Sequence, residues 1–312
     1  MTETLGFVTT RPTLIAVDID GTLLSSAGTV LPGTRAEFAR ARQAGATIAL
    51  ASGRPVSGLR RLVDRVALDS RGMAFVGVNG AMIVDADTGQ TMAEHHLDPQ
   101  LVRRIAELGA EHGVVLMLCA GDDLIVDEPQ SQQVQFEAEG NAARLCAVPS
   151  LRDLPDSDLV VNKVLMTADP AVLRPFGERF AAEFDGQVEH SFSAQFYFEA
   201  TPAGVDKGSA LTEIARSRGL SLADSVAFGD NYNDLPMVRA AGLGVAMGNA
   251  TAGVRAAADR VTATNDDEGI AAVLADLFGD GEPAPPVPEP EQQHMYPVDL
   301  RTLGGLSHPD DL

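Results

Sequence analysis

The chain has 312 residues, 45% of them hydrophobic, and a formal net charge of −21. That length admits one large or two medium domains with a sizeable core, and the composition is that of an ordinary soluble globule. The charge argues against nucleic acid or an anionic membrane as the main partner, because both are bound through Lys and Arg. No stretch approaches the ~18 apolar residues that span a bilayer. No basic segment followed by an apolar one opens the sequence, so a secretory leader is not expected. Cys119 and Cys146 are far apart and lack a metal-ligand pattern, which reads as reduced thiols of a cytoplasmic protein.

The first element is an apolar stretch, Thr13–Val17, that reads as a buried strand and ends by delivering Asp18 and Asp20. Residues two apart on an extended chain point the same way, so both carboxylates can face one small site. Gly21 then permits a sharp turn. Two carboxylates this close repel unless a cation or a shared proton relieves them, so the arrangement calls for a metal. Taken alone, the pair also reads as helix caps or turn formers. A calcium loop is excluded, since Gly21 stands at its fourth position and Thr29, rather than Glu, at its twelfth. No G-x-G-x-x-G follows the strand, so a dinucleotide fingerprint is excluded too.

Gly21 to Gly33 is a polar, glycine-punctuated flap, followed by a helix over Thr34–Gln43 that stops near Gly45. A strand over Ala46–Ala51 leads into Ser52-Gly53-Arg54-Pro55, and Pro55 opens a helix through Val66. A strand over Met73–Val78 ends at the turn signal Asn79-Gly80. This β-α-β-α-β order begins a parallel sheet. Residues 84–204 differ in texture, with helices near Pro99–His112 and Ala171–Phe184 and strand-like runs such as Val114–Cys119 and Gln195–Glu199. The first alternation resumes at Lys207, with a helix to Arg218, strands Ser225–Phe228 and Leu243–Ala246 around a helix Leu235–Ala240, and a last helix ending near Phe278. The expected fold is therefore α/β, with a discontinuous core over 1–83 and 205–279, an inserted α+β domain over 84–204, and a disordered Pro- and acid-rich tail over 280–312.

Three further motifs follow strands or open helices, and so fall at the sheet edge where ligands bind in such folds. Ser52-Gly53-Arg54-Pro55 offers a hydroxyl and backbone amides at a helix start, a natural anion site, although alone it also reads as a cap. Gly229-Asp230-Asn231-Tyr232-Asn233-Asp234 adds two more carboxylates after a strand. Of 23 basic residues only Lys163 and Lys207 are lysines, and a lysine kept against that background marks a site wanting a compact point charge. Lys207 lies just before a helical run. Lys163 stands in a strand-like segment and is expected to be structural or solvent-facing.

Taken in order, Asp18-x-Asp20-Gly-Thr-Leu, Ser52-Gly-Arg-Pro, Asn79-Gly-Ala, Lys207-Gly and Gly229-Asp-Asn-x-Asn-Asp resemble the haloacid dehalogenase superfamily of aspartyl phosphatases. More narrowly, with Gly244-Val-Ala-Met-Gly-Asn-Ala and Glu268-Gly-Ile, they resemble its Cof-type sugar-phosphatase branch, from about Pro12 to Phe278. The resemblance implies a Rossmann-like parallel-sheet core with an inserted cap. It implies Asp18 as nucleophile and Mg²⁺ ligand, Asp20 as general acid and base with its backbone carbonyl on the metal, and Asp230 as the second side-chain ligand. Ile19 and Gly53 would offer backbone amides to phosphate, with Ser52 and Asn233 adding side-chain bonds and Lys207 holding the phosphoryl group. Asp234 would ligate through water or orient Lys207. A hard cation with oxygen donors fits this set better than zinc.

The implied activity is hydrolysis of a small phosphomonoester, of the sugar phosphate, pyridoxal phosphate or flavin mononucleotide class. Arg54, Glu199 and the stretch His190–Tyr197 are candidates for reading the leaving group. A phosphosugar phosphotransferase on the same core and a ligand-sensing regulatory protein are the alternatives. A dehalogenase would leave Asp20 and the metal site without use.

Overall fold

The computed structural model describes residues 11–279 apart from 142 and 157–159, so the tail expected over 280–312 lies outside the described residues. The chain enters through β1 (Leu14–Asp18), α1 (Pro32–Gln43), β2 (Thr47–Ala51), α2 (Val56–Arg65) and β3 (Ala74–Gly77), then makes a hairpin of β4 (Met82–Asp85) and β5 (Thr91–Glu94). There follow α3 (Pro99–His112), β6 (Val115–Ala120), β7 (Asp123–Val126), α4 (Gln132–Asn141), β8 (Arg144–Ala147), β9 (Lys163–Thr167), α5 (Pro170–Phe184), β10 (Val188–Ala194) and β11 (Tyr197–Pro202). It closes with α6 (Lys207–Arg218), β12 (Ser225–Gly229), α7 (Leu235–Ala240), β13 (Leu243–Ala246), α8 (Ala252–Ala257), β14 (Arg260–Val261) and α9 (Gly269–Phe278).

Two sheets result. The larger has the order β14-β13-β12-β1-β2-β3-β4-β5, and its first six strands are parallel. The α/β parallel core expected from sequence is therefore present. The expected boundary at residue 84 falls inside β4, and the β4–β5 hairpin pairs antiparallel onto β3, in the large sheet. Short strands with mixed burial gave no periodicity by which to assign them, whereas a hairpin can extend a sheet edge with local connections alone. The second sheet, β10-β11-β9-β6-β7-β8, is built wholly from the segment between β5 and α6.

Side-chain alternation along β1 and β2 explains how the layers form. Ile15, Val17, Ile48 and Leu50 project into one core with residues of α1, α2 and α9. Leu14, Ala16, Ala49 and Ala51 project to the other face, against Ala210, Leu211 and Ile214 of α6. The small alanines let α6 lie close to the sheet, which sets the depth at which its first residue, Lys207, enters. In the second sheet one face packs α3 and α5 through Phe176, Phe180, Phe184 and Phe198. Its other face, with Met117, Cys119, Leu165 and Tyr197, packs on α4 and on Val78 and Ala81 in the turn after β3.

Two motifs singled out in the sequence prove to be tethers. α1 starts at Pro32 and receives no side-chain bond from its own N-cap Leu31. Glu268 supplies it instead, accepting from the amides of Gly33 at 2.7 Å and Thr34 at 2.9 Å. Asn249 donates to the Gly21 carbonyl at 2.8 Å and so holds the turn after β1.

The Asn79-Gly80 turn brings three residues in succession to positive φ: Val78, Asn79 and Gly80. Gly80 sits at φ +103°, and a Cβ there would overlap the Asp206 carbonyl, immediately before Lys207. We expect Gly80→Ala to lower unfolding stability by more than ~1 kcal/mol, because backbone strain and a backbone clash act together. Urea denaturation checks this; an unchanged midpoint would mean that the start of α6 shifts freely.

Candidate active site

β1 ends in Asp18 and β12 in Gly229, which immediately precedes Asp230. The two strands pair in parallel with Val17 opposite Phe228, so their carboxyl ends open at the same level. Asp18, Asp230 and Asp234 each bring one carboxylate oxygen into a group whose atoms lie within 4.8 Å of one another. Lys207 enters from the first turn of α6, whose start is fixed by a capping box between Asp206 and Ser209. Its ammonium lies 2.5 Å from Asp18 Oδ1 and 2.6 Å from Asp234 Oδ1, with the residue only 1% exposed.

The remaining oxygens are assigned by the backbone around them. Asp234 Oδ2 accepts from the amides of Asp230 at 2.9 Å and Asn231 at 3.0 Å, so both its oxygens are committed. Thr22 Oγ1 donates to Asp230 Oδ1 at 2.7 Å. A Cβ on Gly21, which adopts φ +88°, would come within 2.5 Å of Asp230 Oδ2, so glycine is what lets that carboxylate approach the turn.

Two buried acids bonded to one ammonium, with the partly buried Asp230 beside them, leave an excess of negative charge. Burial, then Asp234, lifts the Asp18 carboxyl well above the usual carboxylate range against the pull of Lys207. Burial and Asp234 likewise push Asp230 up to about 7. Lys207 loses stability as a cation through burial, but Asp18 and Asp234 more than compensate and raise it. A site so unbalanced favours a cation, and its donors are all hard oxygens.

Asp20 stands apart from this group. Its side chain is 56% exposed and turned to Arg54, which donates to both oxygens at 3.0 and 2.8 Å. The expectation of four converging side-chain carboxylates is therefore corrected to three, because a bidentate guanidinium captures the fourth. Arg54 also donates to Asn141 Oδ1 at 3.2 Å, at the end of α4, and so links the loop after β2 to the second sheet's layer. Ser52 is 3% exposed, and its Oγ accepts from Arg54 N–H at 3.2 Å. Asn233 donates to Asn79 Oδ1 at 3.4 Å. Ile19 is fully buried directly after β1.

Glu199, on β11, is 6% exposed and accepts from Asn79 Nδ2 and, at 2.6 Å, from Ser193 Oγ. Of the stretch His190–Tyr197, His190 lies edge-on to Phe180 and tilted against Phe198, towards α5. Of the two readings of Lys163, structural or solvent-facing, the second is overturned. The residue is 2% exposed, donates to the Gly53 carbonyl at 2.8 Å and lies 3.2 Å from Glu199 Oε2. The scarcity of lysine singles out Lys163, and Thr22 and Asn249 stand in motifs quoted above, but the sequence assigns these three no partner; Asn141 carries no signal at all. Cys119 is buried, Cys146 is partly exposed, and both are free thiols.

A family model described as haloacid dehalogenase-like hydrolase matches residues 15–274. The chain belongs to the haloacid dehalogenase-like hydrolases. Within that family it is 30% identical over 271 residues to the pyridoxal phosphate phosphatase YbhA of Escherichia coli (strain K12), across 85% of this chain and 97% of that protein. It is 28% identical over 277 residues to the 5-amino-6-(5-phospho-D-ribitylamino)uracil phosphatase YitU of Bacillus subtilis (strain 168), across 86% of this chain and 98% of that one. A solved haloacid dehalogenase-like hydrolase from Bacteroides thetaiotaomicron matches with a TM-score of 0.74 at 30% identity, covering 86% of this chain and 100% of the other. This haloacid dehalogenase-like hydrolase is thus an enzyme of the phosphatase class. Among its described residues no helix is long and apolar enough to cross a membrane.

Lys207→Arg is expected to be damaging although it preserves charge. A longer planar guanidinium cannot take the position of an ammonium enclosed by Asp18 and Asp234. Loss of a buried charge-assisted contact of this kind costs on the order of 2–5 kcal/mol, so kcat/KM should fall at least about tenfold. Steady-state kinetics on p-nitrophenyl phosphate, beside a melting curve, checks this. Lys163→Arg, buried as it is, is not a silent control.

Proposed function

We propose that the chain is a Mg²⁺-dependent phosphomonoester hydrolase acting through an aspartyl-phosphate on a small phosphorylated metabolite. The observation that carries this reading is the buried Lys207 bonded to both Asp18 and Asp234, beyond the carboxyl ends of parallel strands. That arrangement holds a nucleophile and an anion-binding cation in one place. The names of the relatives support the substrate class, since one acts on pyridoxal phosphate and another on a phosphoribitylaminouracil. Sugar phosphates and flavin mononucleotide belong to the same size range. Free thiols at Cys119 and Cys146 accord with a reducing, cytoplasmic setting.

The donor set fits Mg²⁺. Asp234 is fully committed to Lys207 and two amides, so Asp18 and Asp230 are the side chains that would hold the ion, with the Asp20 backbone carbonyl. Bound there, Mg²⁺ would cancel charge on the nucleophile and on the phosphoryl oxygens. Asp18 attacks phosphorus and the bond to the leaving-group oxygen breaks, giving an aspartyl-phosphate and an alcohol. Asp20 gives its proton to the leaving oxygen and afterwards takes one from the water that hydrolyses the intermediate. It reaches the leaving group only once its two bonds to Arg54 are exchanged. Lys207 holds the phosphoryl oxygens throughout, while Ser52, Asn233 and the amides of Ile19 and Gly53 orient them. Catalysis then rests on positioning and charge stabilisation of a loose phosphoryl transition state.

Three measurements test the reading. Excess EDTA should abolish turnover of p-nitrophenyl phosphate and added Mg²⁺ should restore it; full turnover in chelator would remove the metal from the scheme. Asp18→Asn should abolish turnover and any trapped phosphoenzyme, because an amide is a poor nucleophile. Asp20→Asn should slow sugar phosphates more than p-nitrophenyl phosphate, whose leaving group needs little protonation. Equal losses on both substrates would refute the acid role of Asp20.

A further inference from the structure

Both lysines of the chain are buried, and both reach the same end of the large sheet. Lys207 is accounted for by Asp18 and Asp234. Lys163 opens β9, five residues that are all buried, where an apolar side chain would avoid the desolvation of an ammonium. Its strand belongs to the second sheet, yet its Nζ donates to the Gly53 carbonyl, in the loop after β2 of the first. The sheet register supplies the counter-charge. Glu199 pairs with Leu165, two residues beyond Lys163, so the lysine and the glutamate are diagonal neighbours on one face. Ser193 and Asn79 hold Glu199 in turn, and Asn79 also accepts from Asn233.

The Gly53 carbonyl and the Arg54 N–H are opposite ends of one planar peptide. Fixing the carbonyl therefore fixes the N–H, which donates to Ser52 Oγ. That bond occupies an acceptor position on the hydroxyl and leaves its hydrogen for an anion. We propose that Lys163 is a positioning residue for phosphate: from the second sheet it clamps the peptide between Gly53 and Arg54 so that the Ser52 hydroxyl is set to receive a phosphoryl oxygen. It does this without touching substrate, and the inference rests on the phosphate-binding role given above to Ser52. Phosphate is common to every substrate of such an enzyme, so the effect of Lys163 is independent of the leaving group.

The test measures the Ki of inorganic phosphate, and kcat/KM on p-nitrophenyl phosphate and on one hydrolysed sugar phosphate, for wild type and Lys163→Met. The Ki should rise roughly tenfold, as for loss of a hydrogen bond from a charged group, and kcat/KM should fall alike on both esters. The melting temperature of Lys163→Met should fall, because Glu199 keeps a buried charge without its partner, and the Ki is read at a temperature where the variant is folded. An unchanged Ki in folded Lys163→Met overturns the proposal. So does a loss confined to the sugar phosphate, which would make Lys163 a leaving-group contact. Where Lys163→Met fails to fold because Glu199 is left unpaired, Lys163→Met/Glu199→Gln removes both charges and the same Ki criterion decides. Active wild type with an unaltered variant Ki overturns this inference alone. Wild type that neither hydrolyses an ester nor binds phosphate overturns the proposed function and this inference with it.

Discussion

Everything at the carboxyl end of the large sheet depends on one buried ammonium between two buried carboxylates, with a third, partly buried one beside them. Taking such charges out of water costs several kcal/mol each, and only close, well-directed partners offset it. Lys207 is held by geometry on every side: a capping box fixes its helix, alanines on β1 and β2 set the depth of that helix, and Gly80 admits the Asp206 carbonyl just before it. Asp234 is fixed by two amides of its own loop, and Asp230 by Thr22. The result is a preorganised site whose polar groups need little rearrangement when charge develops.

A second buried polar network joins the two sheets. Arg54, Ser52 and Gly53 come from the loop after β2, Asn79 from the turn after β3, and Asn141, Lys163 and Glu199 from the second sheet and α4. Its contacts are polar beside an apolar part of that boundary, where Val78 and Ala81 pack against Met117 and Leu165. Polar groups at such a boundary fix one relative placement, because a shifted register would leave donors and acceptors unpaired. The loop expected to bind phosphate is thereby supported from both layers.

The sequence made the parallel core legible because its strands are continuous apolar runs, each followed by a polar motif, and those runs need two covered faces. Asp18, Lys207 and Asp230 could be found for the same reason: they stand at strand ends or a helix start. The β4–β5 hairpin was not legible, since four-residue strands of mixed burial carry no period to count. The side chain of Asp20 was misjudged because alternation along an extended chain predicts a direction only while the chain stays extended, and the turn at Gly21 hands Asp20 to Arg54. For Lys163 the sequence left a structural and a solvent-facing reading open, because a lone charge in an apolar strand fits a solvated edge as well as a buried pair. Its partners, Gly53 and Glu199, are 110 and 36 residues away and belong to other strands or loops.

The use of lysine and arginine in this chain follows from the same physics. Several arginines are placed where a planar fork meets a carboxylate at or near the surface, as in Arg54 with Asp20, Arg144 with Asp123 and Arg71 with Asp69, while the buried Arg35 spends its fork on the carbonyls of Val30, Val66 and Ala67. Such pairs are geometrically specific but individually contribute little in water. The two lysines sit where space is closed and the partners converge on a point: two carboxylate oxygens for Lys207, a carbonyl and a carboxylate for Lys163. A guanidinium brings five donors that each need a partner when buried, whereas an ammonium brings only three, which swing together about one bond. A compact charge therefore suits a cavity lined by few acceptors, and both such cavities lie beside the loops that follow β1 and β2.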